Sequence, residues 1–96
     1  MATTAPHPTT TSREIVHDPR VLGGEAIIAG TRVPVQAVVL MHLLHGGDMA
    51  RILRSLPTIT AGDVDRALAY FAAHRTEIIR AMRANGVDEE AIRRVS

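Results

Sequence analysis

Apolar residues follow two different rhythms along this chain. Between residues 13 and 33 they come in short runs, Ile15-Val16, Val21-Leu22 and Ala26-Ile27-Ile28, separated by Asp18-Pro19, Gly23-Gly24 and Ala29-Gly30-Thr31. Runs this short, bounded by turn formers, predict extended structure. Glu14–His17 reads as a first strand stopped by Asp18-Pro19. The Gly23-Gly24 pair predicts a hairpin, because the central residues of such a turn often need positive φ. Val33, which precedes Pro34, is biased toward extended backbone.

From residue 34 the rhythm becomes helical. Pro34 suits a first turn, where its missing N–H is no loss. Val35, Val38, Val39, Leu40, Leu43 and Leu44 give a broad apolar face that Gly46-Gly47 ends. Asp48 is a good N-cap for a short helix Met49–Leu56, with Ile52, Leu53 and Leu56 inward and Pro57 as the stop. Thr60 stands three residues before Asp63, an acidic version of the capping box, and Ile59 and Val64 occupy the positions of a hydrophobic staple. Val64, Leu68, Phe71, Ile78 and Met82 follow as one helical stripe, interrupted at Arg75. They predict a single helix from Ala61 to Ala84, roughly 36 Å long at about 1.5 Å per residue. A rod of that length exceeds what two short helices and a hairpin can cover, so its distal half is expected to pack on another chain or on the tail. Asn85-Gly86 is a C-cap signal. Asp88 then caps a last short helix, Glu89–Val95, with Val87 and Ile92 again placed as a staple.

The expected fold is mainly α with a small β-hairpin: a short N-terminal β element, a trihelical helix-turn-helix core and an extended C-terminal helix. Residues 1–12, rich in Thr and Pro, read as a disordered leader. Residues 13–75 form the hairpin and helix-turn-helix domain. Residues 76–96 form a helical extension, a candidate partner-binding element that presents Ile78, Ile79, Met82, Val87 and Ile92.

Composition narrows the function. With 96 residues there is room for one domain. Tyr70 and Phe71 are the only aromatic residues, so the core must be aliphatic. The lack of cysteine excludes a disulfide framework, a thiolate zinc site and a cysteine nucleophile. The longest apolar run, Ala37–Met41, falls far short of the roughly 20 residues of a membrane span. The first dozen residues carry no secretory signal. A cytoplasmic protein without a membrane partner is expected. His42 and His45 lie three apart, as metal ligands on a helix can, yet no cysteine is near and no third ligand is evident. No Ser-His-Asp order, H-E-x-x-H or phosphate-cradling loop is present. The chain is therefore expected not to be an enzyme, and to use no metal, cofactor or small-molecule substrate.

Net charge is only +1, yet all eleven cations are arginine. Codon bias in a GC-rich genome gives that pattern. So does a need for bidentate phosphate and base contacts. Asp48–Leu56, Pro57-Thr58-Ile59 and the helix from Thr60 have the lengths of a helix-turn-helix, whose later helix enters the major groove by its N-terminal turns. The outward candidates there are Thr60, Asp63, Arg66 and Tyr70. Arg51 and Arg54 share a helix face and are placed to touch phosphates. Arg32, after the Gly30-Thr31 turn, is a candidate for a phosphate or a partner carboxylate. Arg66 has an alternative role, pairing with Asp63. Against DNA stand Asp63 and Asp65, whose charge stabilises a helix N-terminus instead. Thr31 has a structural reading, a side chain bonded to the backbone ahead of the helix.

The stretch Asp18-Pro19-Arg20-Val21-Leu22-Gly23-Gly24 leads into Gly30-Thr31-Arg32-Val33-Pro34-Val35. Downstream come His45-Gly46-Gly47-Asp48, Leu56-Pro57, Ile59-Thr60, Asp63-Val64 and Ala67-Leu68-Ala69-Tyr70. As a set, over about residues 13–75, these resemble the small prokaryotic family catalogued as domain of unknown function four-hundred-thirty-three, regarded as VapB-type antitoxins with a homeodomain-like helix-turn-helix. Ala26-Ile27-Ile28-Ala29 departs from the family's pattern, where a Pro and an Arg often stand. The resemblance implies an antitoxin of a type II pair that forms a homodimer, neutralises a PIN-like nuclease toxin and binds promoter DNA with it. In that reading Arg32, Arg51, Arg54, Thr60 and Arg66 meet DNA, and Ile78, Ile79, Met82, Val87 and Ile92 meet the partner. Two alternatives stay open: a stand-alone helix-turn-helix regulator, and a protein-interaction module without DNA contact.

Overall fold

The structure, a computed structural model, describes residues 12–95, so the expected leader lies outside the described residues except for Ser12. Strands β1 (Ile15–His17) and β2 (Ala26–Ile28) pair antiparallel, with Ile15 opposite Ile28 and His17 opposite Ala26. The expected small β-hairpin is present, but its strands are not the two runs that flank Gly23-Gly24: β2 pairs with β1 across a longer connection. Val21-Leu22 is not a strand. The chain rounds the corner in a single turn of 3-10 helix at Leu22–Gly24. Gly23 and Gly24 take φ of 68° and 88° there, values open to residues without a Cβ. A second turn follows β2. The Thr31 hydroxyl donates to the Ile28 carbonyl at 2.8 Å and accepts from the Val33 N–H at 3.0 Å. That double role is the structural reading of Thr31, and it feeds the chain into the first helix.

Five helices complete the described fold: α1 (Val35–Leu44), α2 (Met49–Ser55), α3 (Ala61–Ala73), α4 (Arg75–Ala84) and α5 (Glu89–Val95). α1 is the centre, with β2 and the other four helices packed on it. Its sequence suits that position: only Gln36 and His42 of its ten residues are polar. Gln36 is itself buried and donates to the Glu25 carboxylate at 2.7 Å, and among the described residues no buried side-chain N or O lacks a hydrogen-bond partner. The core joins Ile28, Val35, Val38, Ile52, Val64 and Phe71 to Ile78, Met82 and Ile92. The local start signals act as read. The Asp48 side chain caps α2 by accepting from the Arg51 N–H, and Thr60 with Asp63 forms the full capping box of α3.

The expectation of one continuous helix from residue 61 to residue 84 is overturned. α3 stops at Ala73, His74 leaves helical geometry (φ −134°, ψ 46°), and α4 starts at Arg75. No Pro or Gly marks the joint. The reason is tertiary. On a straight rod Ile78 and Met82 have no partner, whereas after the break α4 packs on α1 and both are buried, at 1% and 0% exposure. Burying each such side chain contributes about 1.5–3 kcal/mol, more than the roughly 1 kcal/mol of an interrupted helical hydrogen bond. α5 also returns to α1, which buries Ile92. Ile78, Met82 and Ile92, expected to face a partner, are thus part of the chain's own core. Ile79 and Val87 are half-buried against it. The C-terminal element is no projecting extension; it closes the domain.

Candidate nucleic-acid interface

α2 and α3 follow one another across the linker through Pro57, and each packs on α1. On α2, Arg51 and Arg54 are exposed and three residues apart, so they share a face. Arg51 is held loosely, its Nε 3.8 Å from the Asp48 carboxylate at the head of the same helix. Among the described residues Arg54 makes no ion pair, and neither does Arg32, which is exposed beyond the Thr31 turn.

The head of α3 differs from the sequence expectation. The Thr60 hydroxyl is taken into the cap, accepting from the Asp63 N–H at 3.1 Å. Asp63 does not face outward: it is fully buried and bound to Arg13. Its carboxylate accepts from the Arg13 guanidinium at 2.6 Å, the Arg13 N–H at 2.8 Å and the Thr60 N–H at 2.9 Å. Burial alone would raise this carboxyl, but those bonds outweigh it and hold it below the usual carboxylate range. The pairing of Asp63 with Arg66 is therefore replaced by a pairing with Arg13. Arg66 stays exposed and donates to the Ser12 hydroxyl at 3.1 Å, on the β1 side of α3. Of the two aspartates that opposed DNA, one is neutralised and hidden. Asp65 remains exposed.

Tyr70 is also drawn inward. Its hydroxyl donates to Glu77 at 2.7 Å, and His17 of β1 meets the same carboxylate at 2.6 Å. The Tyr70 ring stacks on His74 at 4.0 Å. Burial, reinforced by Glu77, pushes the Tyr70 phenol up to about 12, so it is a neutral donor rather than a base at ordinary pH. The Glu77 carboxyl is raised by burial but lowered further by its bonds to His17 and Tyr70, and the net shift is downward. This group clasps β1, α3 and α4 together. Sequence reasoning missed Arg13, His17, Glu77 and His74. Arg13 and Asp63 lie fifty residues apart, and Tyr70 and Glu77 lie seven apart, about 10.5 Å along a continuous helix and too far to touch there. The unusual residue at the third helical position, Asp63 where Glu or Gln is usual, was the one available hint.

The four arginines expected to meet DNA are thus spread over three places: Arg51 and Arg54 on α2, Arg66 on the β1 side of α3, and Arg32 ahead of α1. Only the α2 pair forms a shared face. His45 meets Ser55 at 3.0 Å, and His42 lines an apolar recess. No described helix is long and apolar enough to cross a membrane.

No curated protein and no solved structure matches the chain. Residues 15–71, more than half of its length and nearly all of the hairpin and of α1 to α3, match the family described as "Protein of unknown function (DUF433)". The chain belongs to the DUF433 family.

Proposed function

We propose that this chain is a non-enzymatic, cytoplasmic antitoxin of a type II pair. It contacts promoter DNA through α2 and the head of α3 and restrains a PIN-like nuclease partner. The observation that carries the DNA part is the state of Asp63. Its charge is consumed by Arg13, so the head of α3 loses one of its two repulsive groups while Arg51 and Arg54 remain exposed on α2. Phosphate contacts from such arginines give sequence-independent affinity and register. The partner part rests on the family resemblance alone, because Ile78, Met82 and Ile92 are internal.

That burial favours the second reading, a stand-alone regulator. Two measurements test and separate them. Fluorescence anisotropy with the DNA upstream of the chain's own reading frame should show binding that weakens as salt rises. No binding at low salt, with or without the product of the adjacent gene, refutes the DNA role. Co-expression with an adjacent PIN-like product should relieve its toxicity; growth arrest that persists leaves only the regulator.

A further inference from the structure

A recess of about 530 Å³ lies where α1, α3 and α5 meet. Val39 of α1 and Phe71 of α3, 3% and 8% exposed, form its floor. The half-buried Leu43, Leu68 and Val95 form its walls. Its polar side chains are those of His42 and Arg94, both exposed, and no carboxylate lines it. Arg75 stands behind the floor. Its guanidinium lies over the Phe71 ring at 5.1 Å and donates to the Val95 carbonyl at 2.9 Å. That bond pins the end of α5 beside α3, so the recess is preformed.

We propose that this recess binds a small amphiphilic carboxylate, a medium-chain aliphatic acid, with its tail between α1 and α3 and its head on Arg94. The lining decides the tail, because aliphatic walls gain most by removing apolar surface from water. The charge decides the head. Of the two neighbouring arginines on α5, Arg93 is engaged with Glu90 at 2.7 Å, whereas among the described residues Arg94 makes no ion pair. One guanidinium matches one carboxylate through two parallel N–H···O bonds, and His42 offers a further donor. A doubly charged phosphate would need more donors than this rim supplies.

The size decides between a small molecule and a protein. Clefts of about 300–1,000 Å³ hold small ligands, and this one, bounded by three helices, falls in that range. A stable protein partner covers about 800 Å² on each side, far more than the few side chains around the recess present. No bond of the ligand is made or broken, so the recess is a binding site and not an active site. Binding there requires neither DNA nor a nuclease, and its failure leaves the functional reading above untouched.

Octanoate, octan-1-ol and octylamine share a tail and differ in the head, which permits a direct test on the full chain by side-chain methyl shifts. Octanoate should saturate with a dissociation constant of about 1 mM or below, within the binding energy per atom open to small ligands. The shifts should fall on Val39, Leu43, Leu68 and Val95. Octan-1-ol should bind about tenfold more weakly, through loss of the charge-assisted bonds, and octylamine more weakly still. Each methylene removed, to heptanoate and then hexanoate, should weaken binding about threefold. Arg94→Gln, at an exposed position, should reduce octanoate to the affinity of the alcohol and leave the alcohol unaffected, with an unchanged circular dichroism spectrum. Octylamine binding as well as octanoate overturns the proposal, as does an Arg94→Gln chain that still prefers the acid. So do octanoate shifts that fail to saturate by about 10 mM. Shifts of the same methyls on concentrating the ligand-free chain would assign the recess to a second copy and overturn it too.

Discussion

The Arg13 guanidinium and the Asp63 carboxylate meet at 2.6 Å across fifty residues of sequence. Through that contact one buried carboxylate closes the cap of α3 and also ties the start of the described chain to that helix. Local and long-range structure share a single side chain. Asp63→Asn keeps its shape but removes the charge and the full set of acceptors. The expected loss is about 2 kcal/mol, in the range of a lost cap plus a weakened charged hydrogen bond. That corresponds to a melting temperature lower by about 10 °C for a domain of this size.

The same carboxylate makes stability depend on pH with a fixed sign. The folded state holds Asp63 below its ordinary value. Its contribution is therefore complete above the ordinary carboxylate range and is lost as pH falls through the folded-state value. Denaturant titrations at neutral pH and at steps below it should show the native chain losing stability on acidification more steeply than Asp63→Asn. Equal slopes would remove Asp63 from the account.

Removing residues 76–96 deletes Ile78, Met82 and Ile92 from the core. The truncated chain should lose cooperative unfolding rather than persist as a folded domain. Met82→Ala, at a fully buried position, should cost about 2–5 kcal/mol. A truncated protein with a sharp thermal transition would show that α4 and α5 only decorate the fold.

On DNA, Arg51→Ala and Arg54→Ala together should weaken binding by the same factor across sequences. They should also reduce the slope of log K against log salt by about 2, the signature of two lost phosphate contacts. Anisotropy titrations at several salt concentrations measure this. An unchanged slope would move the DNA face elsewhere, with Arg32 and Arg66 the next residues to substitute.

Gly30 sits at φ +76°, with nothing within 4 Å of an added Cβ. Gly30→Ala should therefore destabilise through the backbone alone, by about 1 kcal/mol, and leave the packing of Ile28 intact. Urea unfolding reads the first effect and side-chain methyl shifts the second.

Features that a few neighbouring residues decide were legible in the sequence: the Asp48 cap, the Thr60–Asp63 box, the Thr31 turn and the short β pair. So was the family, through the run Gly30-Thr31-Arg32-Val33-Pro34-Val35 and its helical sequel. The joint at His74 was not, because the residues around it are all compatible with a helix and the reason for bending lies on α1. The fate of Asp63 was hidden for a similar reason. A helix-start aspartate reads as an exposed cap until the N-terminal strand is laid over it. The arginines of α2 could be placed on one face, yet nothing local says what they face.

The corner at His74 is made by its surroundings, since Ala72, Ala73, Arg75 and Thr76 would all tolerate a straight path. Its angle is answerable to residues distant in the chain: His17 on the first strand, Val95 near the C-terminus through its carbonyl to Arg75, and the apolar ledge of α1. A substitution at any of these could re-aim the last quarter of the described chain without touching the bend itself. Relatives with identical residues at 72–76 could thus carry their C-terminal helices in a different direction.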